Sequence, residues 1–181
     1  MSRSRGIITT SPARTRAVYR LWQVWHRLTA RVTEADLVPV RDLLSPAGQQ
    51  LFATMSRGDQ RHSLDVCAAL AATGCQDREL LAAALLHDVG KGAGRVRFAM
   101  RPTIVILKRV APGLLRRLAG PSALAPTSRL QQPFRDAWHH AELGAILANQ
   151  AGLSPRICNL IRTHHDPHGP AAALHAVDEA N

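Results

Sequence analysis

The run Leu80-Leu81-Ala82-Ala83-Ala84-Leu85-Leu86 is apolar on all sides, and a helix of that kind is stable only in the centre of a fold. Asp77 supplies its N-cap, and the run delivers the polar pair His87-Asp88 at its C-terminal end. A neutral imidazole and a carboxylate at the end of a buried helix are costly without partners, and a divalent metal ion satisfies both. Gly90 then lets the chain turn, and Lys91 places an ammonium beside the proposed metal, where it can hold a phosphate oxygen.

The rest of the chain reads as helices around that centre. With 181 residues, 46% of them hydrophobic and only 4% aromatic, the chain has the length of one domain whose core rests on Leu, Ala, Val and Ile. No alternating apolar pattern argues for a strand and no internal repeat is visible, so the fold class is all-α. Residues 1–12 read as a disordered basic tail. Residues 13–58 read as an N-terminal helical extension packed on the core, with Val18, Leu21, Trp22, Trp25 and Leu28 on one face of an amphipathic helix from Ala13 to about Val32. Docking of that helix onto the main domain is the expectation, with membrane-surface binding the alternative. A short helix is expected after Glu34, and another from Ser45-Pro46 to about Arg57.

The main domain, residues 59–181, opens with a helix capped by Asp59, running to Thr73 and ended by Gly74. An insertion or cover is expected at about 92–132, with a helix from Pro102 to Leu118 and a linker from Gly120 to Ser128. Further helices are expected from Pro133 to about Ala151, from Ser154-Pro155 to near His164, and from Pro170 onward.

Lys and Arg number 23 against 13 Asp and Glu, a formal charge of +10 that suits phosphorylated ligands, nucleic acid or an anionic membrane surface. Charge by itself favours none of these, since arginines that only solvate helix faces give the same count. Cys67, Cys75 and Cys158 form no C-x-x-C pair, so neither a disulfide framework nor a thiolate zinc site is suggested. With no apolar secretory segment near Met1 and no run of membrane-spanning length, a cytoplasmic location is expected.

The segment Leu85-Leu86-His87-Asp88-Val89-Gly90-Lys91 resembles the signature of the HD superfamily of metal-dependent phosphohydrolases, particularly its H-D-I-G-K branch. The resemblance extends over roughly residues 59–181 and implies an HD-domain helical bundle, here with extra N-terminal helices. It also implies a first metal held by His62, His87, Asp88 and Asp178. Two-metal branches add a histidine in H-x-x-x-G and a His-His pair, which match His140 in His140-Ala141-Glu142-Leu143-Gly144 and His164-His165. Asp88 is then the bridge. His139 is the competitor for His140, but consecutive helical residues point about 100° apart and only His140 has the glycine four residues on. His26, His168 and His175 match no family position, although His175 lies one turn from Asp178 and is a candidate support for it.

The function implied is hydrolysis of a nucleotide-like phosphate, as a phosphodiesterase or phosphatase, by metal-bound hydroxide at a dinuclear centre. Asp88 and Lys91 carry the chemistry, and Lys91 and Arg95 contact substrate. Arg97, Arg101, Arg116 and Arg117 in the cover suit the same charged ligand. Iron or manganese is favoured for the two divalent ions, with zinc, nickel or cobalt as alternatives. The segment Asp166-Pro167-His168-Gly169-Pro170 departs from the HD-GYP branch, so a cyclic dinucleotide remains only one substrate class among several. Asp178 stands three residues from Asn181, where a helix frays. Rival functions are an HD-type di-iron oxygenase, and a non-catalytic metal-containing module for signalling or nucleic-acid binding.

Overall fold

The computed structural model describes residues 31–91 and 101–181. The basic tail, nearly all of the amphipathic segment with Trp22 and Trp25, His26, Arg95 and Arg97 lie outside the described residues. Among those described, ten α-helices and one 3-10 turn account for the regular structure, with no strand.

Helices α1 (Val38–Leu43) and α2 (Pro46–Ala53) lead into the core, α2 starting where the Ser45 hydroxyl accepts the amide of Gly48. The sequence predicts α2 as far as Arg57, but it stops at Ala53 because Ser56 adopts an extended conformation and starts a new helix. That helix, α3 (Arg57–Ala72), is capped by Ser56 and not by Asp59. The Ser56 hydroxyl accepts the Asp59 amide and donates its own hydrogen to the Asp59 carboxylate, which holds the cap in place. Gly74, at φ +87°, ends α3 in the left-handed conformation that glycine adopts without strain.

Asp77 caps α4 (Arg78–Leu86) through the amides of Glu79 and Leu80. All seven residues from Leu80 to Leu86 are buried, and α4 packs against α1, α2, α3 and a later helix, α9 (Pro155–Arg162). Its central place follows from its composition, since every side offers apolar surface to a neighbour. Val32, just before α1, also packs on this core.

Two helices expected to be continuous are broken. The segment 102–118 forms α5 (Arg101–Val110) and α6 (Pro112–Ala119), because Pro112 has no amide hydrogen and its ring excludes helical continuation; Ala111 is displaced to φ −142°, ψ 62°. The segment 133–151 forms α7 (Gln132–Trp138) and α8 (His140–Gln150), interrupted at His139 with φ −104°, ψ 17°. Ser154 caps α9 as expected, its hydroxyl accepting the Ile157 amide. The last helix, α10 (Ala172–Ala180), packs on α3 and carries Asp178 inside its span.

Candidate metal centre

Five elements converge on one small volume. The middle of α3 contributes His62, the end of α4 contributes His87 and Asp88, the first residue of α8 is His140, the chain just beyond α9 supplies His164 and His165, and α10 supplies Asp178. His62 Nε2 lies 2.8 Å from Asp178 Oδ1 and 3.9 Å from Asp88 Oδ2; His87 Nε2 lies 3.6 Å and 3.5 Å from the same two oxygens. The other Asp88 oxygen, Oδ1, lies 3.7 Å from His140 Nε2, which stands 2.9 Å from His165 Nε2. Two groups able to hold a metal ion result, His62 with His87 and Asp88, and His140 with His164 and His165. All seven residues singled out by resemblance are therefore brought together.

Three of the imidazoles are aimed in the same way. His87, His140 and His164 each donate Nδ1–H to the carbonyl three residues earlier, of Ala84 (2.8 Å), Ala137 (3.0 Å) and Ile161 (2.7 Å). A carbonyl only accepts, so the proton sits on Nδ1 and the Nε2 lone pair is left to face the centre. For His87 and His164 that Nε2 is buried with no hydrogen-bond partner. A buried acceptor without a partner is costly, and a cation between these rings removes the cost. The sequence reading missed this device, although a histidine at a helix end with an orphan carbonyl three residues back is its signal.

Charge is partitioned across the centre. Burial opposes ionisation of Asp88, but the Lys91 ammonium, and after it His87, outweigh it and hold Asp88 well below the usual carboxylate range. Asp178 is likewise held low against burial by its contacts with His62 and His87. Burial would lower His87, yet Asp88 and Asp178 raise it above the ordinary imidazole value. In the other group burial prevails: together with Lys91 it pushes His140 well down, it brings His164 down to about 3, and with Lys108 it lowers His165. Lys108 on α5, which nothing in the sequence marks as part of the site, contributes to the His165 shift.

Glycines 90 and 144 explain how close the two groups come. A Cβ on Gly90 would stand 1.9 Å from the His140 carbonyl oxygen and 2.6 Å from the Gly144 amide nitrogen. Gly90 is not among the glycines with positive φ, so its purpose is close approach of the 3-10 turn Val89–Lys91 to α8, rather than the turn expected from sequence. Gly144 completes the contact, with Gly90 N only 3.4 Å from where its Cβ would be.

The remaining candidates are placed as follows. His139 turns away, its Nε2 facing the Gly120 carbonyl at 3.2 Å, while His140 is buried in the centre. His168 is exposed, and His175 Nδ1 is buried without a partner, so it gives Asp178 no support from that nitrogen. Lys91 Nζ is 2.5 Å from Asp88 Oδ2. Arg116 and Arg117 are exposed on α6.

Compared with known proteins, the chain matches one family model, described as HD domain, over residues 60–180. No curated protein and no solved structure is significantly similar to it.

Proposed function

Because the chain belongs to the HD-domain family, whose model spans residues 60–180, we propose that it is a metal-dependent phosphohydrolase acting on a nucleotide-like phosphate, as a phosphodiesterase or phosphatase. The observation that carries this reading is the Asp88 carboxylate, with Oδ2 turned to His62 and His87 and Oδ1 turned to His140. A carboxylate shared in that way suits a pair of divalent cations, His62, His87, Asp88 and Asp178 holding one, and Asp88, His140, His164 and His165 the other. Nitrogen and oxygen donors without thiolate favour iron or manganese, with zinc, nickel or cobalt as alternatives. When bound, such cations acidify water and withdraw charge from a phosphoryl group.

The chain's own residues supply the remainder. Lys91 pairs with Asp88 but is 39% exposed, so its ammonium can pass to a phosphate oxygen once Asp88 is engaged elsewhere. Arg95, four residues further on, is the second proposed phosphate contact. The buried walls around His87 and His164 exclude bulk water, which strengthens every charge interaction inside.

The test is hydrolysis of a generic phosphodiester by protein loaded with manganese or iron(II), followed by a panel of mononucleotides and cyclic dinucleotides. Slow turnover of the generic diester is expected, and Lys91→Ala should lower it while leaving metal content unchanged. Metal-loaded protein that hydrolyses nothing but consumes oxygen with an organophosphonate or polyol would instead be an oxygenase, and one that does neither a non-catalytic module.

A further inference from the structure

We infer that the exposed face of α5, continued on α6, is a docking surface for an anionic lipid bilayer, read from exposed aliphatic side chains interspersed along the two helices with basic ones and no acidic ones. Val105, Ile106 and Val110 of α5 are 67%, 60% and 76% exposed, and Leu114 of α6 is 50% exposed. Arg109, Arg116 and Arg117 stand exposed among them. Ile104 and Leu115 are buried, so each helix already has a core-facing side and the exposed aliphatic side chains are additional to it. Leu124 and Leu130, in the segments that follow, are exposed as well.

Charge decides the occupant. Between Asp88 and Asp136 the sequence holds ten basic residues and not one acid, an excess equal to the net charge of the entire chain. Anionic headgroups attract such a surface, and the aliphatic side chains then enter the acyl boundary. Nucleic acid would use the arginines but gains nothing from Val105, Ile106 and Val110. A second copy related by a two-fold axis would set this basic patch against another of the same sign. No helix among the described residues is long and apolar enough to cross a membrane, which leaves attachment at the surface.

The experiment is co-sedimentation of the full-length protein with vesicles of phosphatidylcholine alone and of phosphatidylcholine mixed with phosphatidylglycerol. Binding is expected only to the mixed vesicles. The triple variant Val105→Asp, Ile106→Asp, Val110→Asp alters exposed side chains, so it should keep its helical circular dichroism and lose binding. Arg109→Glu, Arg116→Glu, Arg117→Glu should weaken binding by at least about 100-fold at low salt. Trp22→Glu with Trp25→Glu should leave most of the binding intact. The inference is overturned if the tryptophan variant abolishes binding while the α5 triple does not, if nucleic acid is bound and vesicles are not, if the protein binds neither, or if the α5 triple instead abolishes self-association in the absence of lipid.

Discussion

The half of the centre built on α3, α4 and α10 has two carboxylates, Asp88 and Asp178, for two imidazoles, His62 and His87; the half built on α8 and α9 has three imidazoles and only the far oxygen of Asp88. The first half is internally compensated, with Asp178 directly on His62 and His87 raised in pKa. In the second half burial outweighs the pull of Asp88, so the pKa values of His140, His164 and His165 are depressed and the rings stand neutral near pH 7. Neutral rings have no proton to lose on binding a cation, but they also provide no net charge to attract it. In the proposed two-ion centre the first half would hold its ion partly by charge and the second by ring lone pairs, with Asp88 the carboxylate that both share.

Removal of that tie should have the largest effect. Asp88→Ala is expected to abolish binding of both ions and bring diester hydrolysis to background, as measured by elemental analysis and turnover on the same sample. Loss of one ion only would show that the halves are independent and that Asp88 is not shared. Asp178→Ala, by contrast, should deplete mainly the first ion.

Gly90→Ala should act next in size and chiefly on the second half. The added methyl meets the His140 carbonyl at 1.9 Å, a backbone atom that cannot rotate aside, so α8 must move away from the 3-10 turn. A stability loss of about 1–3 kcal/mol is expected by denaturant titration, with the second ion weakened more than the first. Equal loss of both ions would place the strain in the turn itself and break the distinction between the halves.

How much of this was legible in the sequence follows from what each feature depends on. The buried α4, its Asp77 cap and the Gly74 stop are local, since composition and one or two neighbouring residues decide them, and the structure agrees. Ser56 displaced Asp59 as cap because either residue satisfies the local rule, and only the path of the chain after Ala53 selects between them. The break at Pro112 follows from a local rule that proline imposes, whereas the one at His139 carries no such residue; there α8 is redirected so that His140 meets Gly90 across the fold. Resemblance pointed to the seven residues of the centre. It did not reveal the close approach of His140 and Gly144 to Gly90, which is a tertiary distance, whereas the three Nδ1–carbonyl bonds span only three residues each and are local.

The smallest effect concerns protons and tests the contrast in its mildest form. In the metal-free protein His164, with its pKa down at about 3, stays neutral in the folded state while an unfolded chain begins to protonate it near pH 6.5. The unfolded state then binds more protons, so stability falls as pH drops below the unfolded value; His164 alone contributes about 0.7 kcal/mol of loss between pH 7 and pH 6. His140 and His165, also depressed, act in the same direction. His87 acts oppositely, because its raised pKa gives stability that is present at low pH and lost as pH rises through the folded value. With three rings against one, the chelator-treated protein should unfold at lower denaturant concentration at pH 6 than at pH 7. His164→Gln should flatten that difference and His87→Gln should enlarge it. A metal-free protein more stable at pH 6 would mean that the carboxylates compensate both halves, and the contrast between them would not stand.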